Sequence, residues 1–398
     1  MSESMEHPST KLFRDYIRIP TVQPDPDYYP AVDLLTREAK MMELEVRVHE
    51  CVPGKPILIL TWEGLDPSLP SLMLNSHMDV VPVFPEHWTY PPFGAHKDEE
   101  GNIYGRGTQD MKCVGIQHLE AVRRLKSKGK RLKRTIHITF VPDEEIGGVN
   151  GMKLFVHTQL FKSLNVGYGL DEGLASSTSE IPLYYGERSK FWIKVICNGS
   201  PGHGSRFLEN TAGEKAQKVI NKLLEFREEQ RQKLELDSSL TLGDVTTVNL
   251  TLMTGGVQVN VVPDKFVLTF DIRITPWTKL DQFETNLRGW LAEAGDDIDL
   301  EFIMTNHNQT LTSVDDNDPW FCALKEAFQK HNLNVRPQIF PAGTDSRYLR
   351  QLGLPAMGFS PMPNTPVLLH DHNEFLNEDV FLTGIDIFED IIHNVANV

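Results

Sequence analysis

Residues 135–148 read Thr135-Ile-His-Ile-Thr-Phe-Val-Pro-Asp-Glu-Glu-Ile-Gly-Gly148, an alternating run rich in β-branched side chains, followed by three acids and two glycines. The alternation predicts a strand that ends at Val141, because β-branched residues favour extended backbone. Three adjacent carboxylates at the end of a buried strand repel one another, which raises their pKa values unless a cation lies among them. This stretch therefore predicts a strand that leads directly into a cation site.

Other acids and histidines also stand at or just after apolar stretches of the chain. They are His77, Asp79, Asp110, Asp171, Glu172 and His370. Helical and strand patterns alternate through these regions, which predicts an α/β fold with helices packed on a mostly parallel or mixed sheet. Ligands of such sheets gather at the carboxyl ends of the strands. Two histidines with several carboxylates at that edge form the ligand set of a two-zinc hydrolytic site.

Two short motifs predict different roles for neighbouring side chains. His77 and Asp79 lie two residues apart on an extended segment, so both point to one face and the carboxylate can orient a metal-binding imidazole. Glu144 and Glu145 are adjacent, so they point in different directions in an extended arrangement. One of these glutamates can then bind metal while the other faces the substrate as a general base.

Composition limits the kind of protein and its location. The chain has 398 residues, 40% hydrophobic and 24% charged, which is typical of a globular protein with room for two domains. A net charge of −16 argues against general binding to nucleic acid or to an anionic membrane. Residues 1–8 lack the apolar core of a signal peptide, and no C-x-x-C pair occurs. We therefore expect a cytoplasmic protein with free cysteines.

The pattern along the chain changes twice. Residues 187–308 hold strand, helix and strand, and then the same again, which predicts a small four-stranded α+β domain. We expect this domain to be inserted between two parts of a catalytic domain, 1–186 and 309–398. Other predicted elements are strands at 71–76 and 167–170 and helices at 8–17, 112–126, 319–330 and from about residue 378.

Three features have a structural interpretation beside the functional one. Asp110 precedes the helix predicted at 112–126 and is either its N-cap or a metal ligand. His203 lies between two glycines, a setting equally typical of a plain turn. Residues 123–134 hold eight basic side chains, which we interpret as a solvated helix end and a loop rather than an anion-binding patch.

Several motifs, in this order along nearly the whole chain, resemble those of the zinc-dependent aminoacylase and carboxypeptidase family. They are Asn75–Phe84, Gln109–Cys113, Phe140–Glu145, Leu170–Gly173, Pro201–His203, Gly358–Met362 and Thr365–His372. The resemblance implies two Zn²⁺ ions per chain and a homodimer in which the inserted domain serves for dimerisation and as a lid.

The resemblance also implies a role for each matched residue. The ligands of one zinc are His77, Asp110 and Glu172, and those of the other are Asp110, Glu145 and His370, with Asp110 bridging. Asp79 matches the residue that orients the first histidine, and Glu144 matches the general base. His203 matches a residue that one subunit lends to the active site of the other. The groups that resemble binders of the substrate or its carboxylate are Asn260, Arg273 and Arg347.

The implied activity is hydrolysis of N-acyl-L-amino acids to a carboxylate and a free L-amino acid. A dipeptidase or carboxypeptidase of the same family is the nearest alternative. The two interpretations differ at the acyl side of the substrate: a free substrate amine would need an acidic partner there, whereas an acetyl group needs a small apolar pocket. A non-catalytic binding relative is less favoured, because Glu144 and the ligand set are intact. We therefore expect the binding partner of this chain, apart from its second copy, to be a small-molecule substrate.

Overall fold

The computed structural model describes residues 6–398 and separates them into two compact units. The first contains the described chain up to Tyr185, Leu311–Pro337 and Thr344–Val398, and the second contains Gly186–Thr310 and Gln338–Gly343. The last segment differs from the expected division, which placed all of 309–398 in the catalytic domain. It belongs to the second unit because Arg188 donates hydrogen bonds to the carbonyl oxygens of Phe340 and Pro341.

Helices and strands alternate along much of the chain. The helices are α1 (Pro8–Ile17), α2 (Tyr29–Met41), α3 (Lys112–Ser127), α4 (Met152–Phe155), α5 (Gln159–Ser163), α6 (Ala212–Leu236), α7 (Leu280–Ala294), α8 (Pro319–Lys330), α9 (Ser346–Gln351) and α10 (Glu378–Val395). The strands are β1 (Glu45–Glu50), β2 (Pro56–Trp62), β3 (Ser71–His77), β4 (His96–Lys97), β5 (Asn102–Tyr104), β6 (Ile136–Val141), β7 (Val166–Asp171), β8 (Glu180–Glu187), β9 (Ser189–Asn198), β10 (Gly202–His203), β11 (Thr247–Gly255), β12 (Val261–Val262), β13 (Lys265–Ile274), β14 (Ile298–Thr305), β15 (Asn334–Phe340), β16 (Ala356–Phe359) and β17 (Phe375–Asn377).

Within residues 6–398, the largest sheet has eight strands in the order β1-β2-β6-β3-β7-β16-β8-β15. Its central strands β6, β3, β7 and β16 are mutually parallel, whereas β1 with β2, β2 with β6 and β16 with β8 are antiparallel. The prediction of an α/β fold with a mixed sheet is therefore confirmed. Because β6, β3 and β7 are parallel neighbours, the residues that follow them emerge at one edge of the sheet.

Apolar helix faces cover this sheet. The apolar side chains of α3 that fall close to helical spacing are all buried: Val114, Ile116, Leu119, Val122 and Leu125. They pack with buried residues of α1, α10, β3 and β6 in one core, and a smaller core lies under α4 and α5. Gly115 lets α3 approach the sheet closely, since a Cβ there would lie 2.8 Å from both Phe140 Cε1 and Ser76 Oγ.

The second unit contains an antiparallel sheet in the order β11-β13-β9-β14. Residues of β9 alternate between buried and half-buried, and the buried ones pack with apolar side chains of α6 and α7. The described parts of the chain thus include the four-stranded α+β arrangement that the sequence predicts. None of the helices within residues 6–398 combines the length and hydrophobicity that a membrane-spanning helix needs. The cysteines are free, as predicted.

Candidate metal centre

Three buried side chains meet at the carboxyl edge of the large sheet. His77 ends β3, Asp110 precedes α3, and Glu172 follows β7. His77 Nε2 lies 3.0 Å from Asp110 Oδ1 and 3.6 Å from Glu172 Oε2. One potential ligand atom from each residue lies within 4.8 Å of the others. The imidazole and the two carboxylates are therefore close enough to share one metal ion.

A second group of the same composition adjoins the first through Asp110. His370 Nε2 lies 3.3 Å from Asp110 Oδ2 and 3.1 Å from Glu145 Oε2. Asp110 thus presents one oxygen to each histidine, as a ligand shared by two metal ions would. Its interpretation as an N-cap is wrong, because Met111 occupies the N-cap position of α3 and makes no side-chain capping bond.

The electrostatics of the two groups favour bound cations. Burial, and then the charge of Asp110, raise the pKa of Glu172 well above its usual range and that of Glu145 to about 7. Hydrogen bonds to Asp110 and Glu145 raise the pKa of His370 to about 10. Burial and the neighbouring carboxylate disfavour the charged form of the glutamates, and the carboxylates beside His370 stabilise its protonated ring. Imidazole nitrogens and carboxylate oxygens are ligands that zinc accepts, so the residues fit two such ions.

Asp79 orients its neighbours with different atoms from those the sequence predicts. His77 Nδ1 lies 2.9 Å from the backbone oxygen of Asp79 but 3.6 Å from its carboxylate. The carboxylate instead accepts hydrogen bonds from the backbone N–H groups of Glu144 and Glu145, at 3.1 and 3.0 Å. Asp79 therefore aligns both the first imidazole and the acidic turn after β6.

Glu144 and Glu145 face different surroundings although they are adjacent. Glu145 contacts His370, whereas the Oε1 atom of Glu144 lies 3.8 Å from Nη1 of Arg347 on α9. Burial, and then the charge of Asp345, raise the pKa of Glu144 well above its usual range. Glu144 is thus a buried carboxylate that lies outside both candidate metal-ligand groups.

Two residues that received no role from the sequence connect the loops of Asp110 and His370. The buried carboxylate of Glu374 accepts hydrogen bonds from the Arg106 side chain and from the backbone N–H of Gly107 and Gln109. The Gln109 side chain donates to the carbonyl oxygens of Pro366 and Phe375. Glu374 stands four residues after His370 and close to Asp371 and Asn373, and this polar cluster was a signal for it in the sequence.

The remaining predicted residues belong to the second unit. His203 is exposed at the end of β10, with Nδ1 2.8 Å from Ser205 Oγ, and Gly204 donates a hydrogen bond to the carbonyl oxygen of Asn260. Arg273 lies on β13, where its guanidinium makes two bonds to Asp271, at 2.6 and 3.0 Å. The residues brought together in the first unit are His77, Asp79, Asp110, Glu144, Glu145, Glu172, Arg347 and His370.

Comparison with known proteins identifies the family. The model of Peptidase family M20/M25/M40 matches residues 73–394. The chain belongs to this family. This M20 chain is 53% identical over 393 residues to aminoacylase-1 of Mus musculus, spanning 99% of the chain and 96% of that protein. It is 46% identical over 410 residues to aminoacylase-1 of Dictyostelium discoideum, spanning both proteins completely.

Solved structures of the M20 family show the same fold. An M20 metallo-carboxypeptidase of Sulfolobus solfataricus superposes with a TM-score of 0.72 at 19% identity, over 98% of this chain and all of the other. A dinuclear metal binding M20 peptidase of Bacillus subtilis gives a TM-score of 0.68 at 16% identity, over 96% of each chain. The predicted resemblance is confirmed, and this M20 chain is a hydrolase.

The surroundings of the basic run and of His372 bear on their interpretation. The basic run 123–134 is paired in part with acids, since Arg123 contacts Glu38, and Arg124 contacts Asp386 of α10. These pairs support its interpretation as a solvated helix end. The ring of His372 packs against that of His87, with centroids 4.9 Å apart. Of these two histidines, His370 belongs to the candidate metal-ligand group with Asp110 and Glu145.

Proposed function

We propose that this M20 chain is a zinc-dependent amidohydrolase that cleaves N-acyl-L-amino acids to a carboxylate and a free L-amino acid. One observation carries the proposal: a buried carboxylate, Glu144, adjoins two histidine–carboxylate groups that share Asp110. The substrate class is supported by aminoacylase-1 relatives at 46–53% identity over nearly the whole chain.

The metal ligands are proposed as two overlapping sets. His77, Asp110 and Glu172 would hold one zinc ion, and Asp110, Glu145 and His370 would hold the second. When bound, the two ions supply Lewis acidity that polarises the acyl carbonyl and lowers the pKa of water. The three carboxylates of these sets carry three negative charges, which is most of the four positive charges of two divalent ions, so bound ions would offset the repulsion described above.

The chemistry of the chain itself centres on Glu144. Its carboxylate takes a proton from the attacking water and returns it to the nitrogen of the departing amino acid. Burial raises the pKa of Glu144, and a carboxylate of raised pKa is the stronger base for the first of these steps. Arg347 is close enough to this carboxylate to guide a substrate to it. Asp79 keeps the turn in place through the backbone of Glu144.

Substrate recognition is assigned to Asn260, Arg273 and Arg347. Arg273 and Arg347 would bind the free α-carboxylate of the substrate by paired, charge-assisted hydrogen bonds, and Asn260 would assist them. His203 would donate a hydrogen bond to the developing oxyanion, and we assign it to the active site of the opposite subunit. The second unit then serves as the dimerisation and lid domain.

An exposed apolar edge supports the proposed homodimer. Strand β11 lies at the edge of its sheet, and its side chains Leu252 and Met253 are exposed. Val257 and Val259, in the following loop, are fully exposed. A strand edge and an apolar surface of this kind are usually covered by a partner. A second copy of the chain would cover both the strand edge and the apolar surface.

A cytoplasmic location stays a prediction.

The decisive experiment compares substrate classes and metal content. Purified protein is assayed with N-acetyl-L-amino acids, their D-enantiomers and unblocked dipeptides, and zinc is measured by elemental analysis. We expect hydrolysis of the N-acetyl-L-amino acids, about two zinc ions per chain, and no turnover after metal removal. Cleavage of dipeptides alone would favour the dipeptidase alternative, and full activity without metal would refute the proposal.

A further inference from the structure

A short segment before α2 pairs with the chain that leaves β3. Val22 forms a parallel bridge with Val80, Gln23 donates its backbone N–H to the carbonyl oxygen of Val80, and Val80 donates to that of Thr21. The Thr21 hydroxyl donates to the carbonyl oxygen of Met78. This pairing holds the buried side chain of Gln23 directly beside Asp79.

The amide of Gln23 lies between two buried carboxylates. Its nitrogen donates to Asp79 Oδ2 at 2.7 Å and to Asp143 Oδ1 at 3.1 Å. Both acids are fully buried and would repel each other without a donor between them. Among the described residues, the amide oxygen of Gln23 has no hydrogen-bond partner. The orientation is nevertheless determined, because a flipped amide would turn its oxygen toward two carboxylates.

Both carboxylates hold the acidic turn. Asp79 accepts the backbone N–H groups of Glu144 and Glu145. Asp143 begins the turn with a left-handed backbone (φ 63°), which is uncommon for residues other than glycine. Its side chain is also held by the Tyr28 hydroxyl at 2.7 Å and by Lys55 Nζ at 3.1 Å. Gln23 therefore connects the two acids that shape the turn from either side.

We propose that Gln23 is a positioning residue for hydrolysis, which joins Asp79 to Asp143 and thereby fixes the turn that carries Glu144 and Glu145. Gln23 acts through these two acids and not on the substrate. The assignment of Glu144 as the base rests on the proposed function. The effect of Gln23 on the turn does not, so the two can be tested separately.

The first test measures the turn itself in the metal-free protein. Gln23→Leu removes the donor, and Gln23→Glu replaces it with a third carboxylate. Thr21→Val is the matched control, because it removes a buried hydrogen bond of the same segment without touching either acid. Backbone hydrogen exchange in peptides covering residues 142–150 should be faster in both Gln23 variants and unchanged in Thr21→Val. Equal exchange in Gln23→Leu and the control would overturn the proposal.

The second test uses the zinc-loaded enzyme with an N-acetyl-L-amino acid that the wild type cleaves. Loss of a residue that orients catalytic groups typically costs about 10–100-fold, so kcat of Gln23→Leu should fall by about tenfold or more. KM should change little, since no substrate contact is removed, and Thr21→Val should retain kcat. A loss confined to KM, or an equal loss in Thr21→Val at the same melting temperature, refutes a positioning role. An inactive wild type would instead refute the proposed function.

Discussion

Glu144 and Glu145 are adjacent acids whose surroundings assign them different tasks, and this predicts different mutant phenotypes. Glu144→Gln keeps the shape of the side chain but removes the base, so kcat should fall by about 10²–10⁴-fold. Its zinc content should stay at the wild-type level, because the Glu145 contact with His370 is untouched. Steady-state kinetics with elemental analysis provides the measurement.

Glu145→Ala is the comparison for that variant. Its primary defect should be loss of zinc, whereas the primary defect of Glu144→Gln should be loss of proton transfer. Wild-type turnover in a zinc-loaded Glu144→Gln protein would assign the base to another group. Zinc loss in Glu144→Gln would instead show that this glutamate belongs to the metal-ligand set.

Arg273 offers a second test at the level of a single side chain. Asp271 holds its guanidinium by two bonds on β13, so the group is oriented before any ligand arrives. Arg273→Ala should weaken the preference for an N-acyl amino acid over its amide, because the carboxylate loses a paired partner. Arg273→Lys keeps the charge but not the paired geometry and should recover only part of the preference. If Arg273→Ala prefers the N-acyl amino acid over its amide as strongly as the wild type does, the assignment of Arg273 is wrong.

At the level of elements, the close contact of α3 with the sheet depends on the absence of a Cβ atom at Gly115. Gly115→Ala would place a methyl group 2.8 Å from Phe140 Cε1 and Ser76 Oγ, both on strands beneath the helix. Overpacking of a core typically costs about 1–3 kcal/mol, which exceeds the gain of about 1 kcal/mol from replacing a helical glycine. The melting temperature should therefore fall.

Gly289 in the middle of α7 is the matched control, because a Cβ there meets nothing within 4 Å. Gly289→Ala should raise the free energy of unfolding by about 0.5–1 kcal/mol. If both alanine variants stabilise the protein, α3 tolerates the methyl group and the close approach is not required.

At the level of the whole molecule, the assignment of His203 makes activity depend on two subunits. His203 is exposed on the second unit, whereas Glu144 is buried in the first. A mixture of Glu144→Gln and His203→Ala chains should regain activity after subunit exchange, since a mixed dimer contains one site with both residues intact. Random assortment predicts about a quarter of wild-type activity. Confirmed exchange without recovery would place His203 in its own chain's site or outside catalysis.

Elements with a strong internal pattern were predictable, and those that depend on neighbours were not. Helix α8 occupies Pro319–Lys330, the range predicted from the sequence, and Asp318 caps its first turn. Strand β1 was missed, because Glu45–Glu50 is largely polar and exposed and becomes a strand by pairing with β2. Strand β8 was also missed, and it forms where Leu183 and Tyr184 pair with β16.

The same division applies to the metal centre. Residue type and position after apolar strands were sufficient to select the candidate acids and histidines, because the chemistry of a metal site restricts its ligands to few side chains. Their division into two ligand sets was implied by the family resemblance. Apart from Asp79, the side chains that support that candidate centre were found only in the tertiary structure. Gln23 meets Asp143 across 120 residues of sequence, and Glu374 meets Gln109 across 265. Such contacts depend on how distant segments pack, and a local sequence pattern contains no record of that packing.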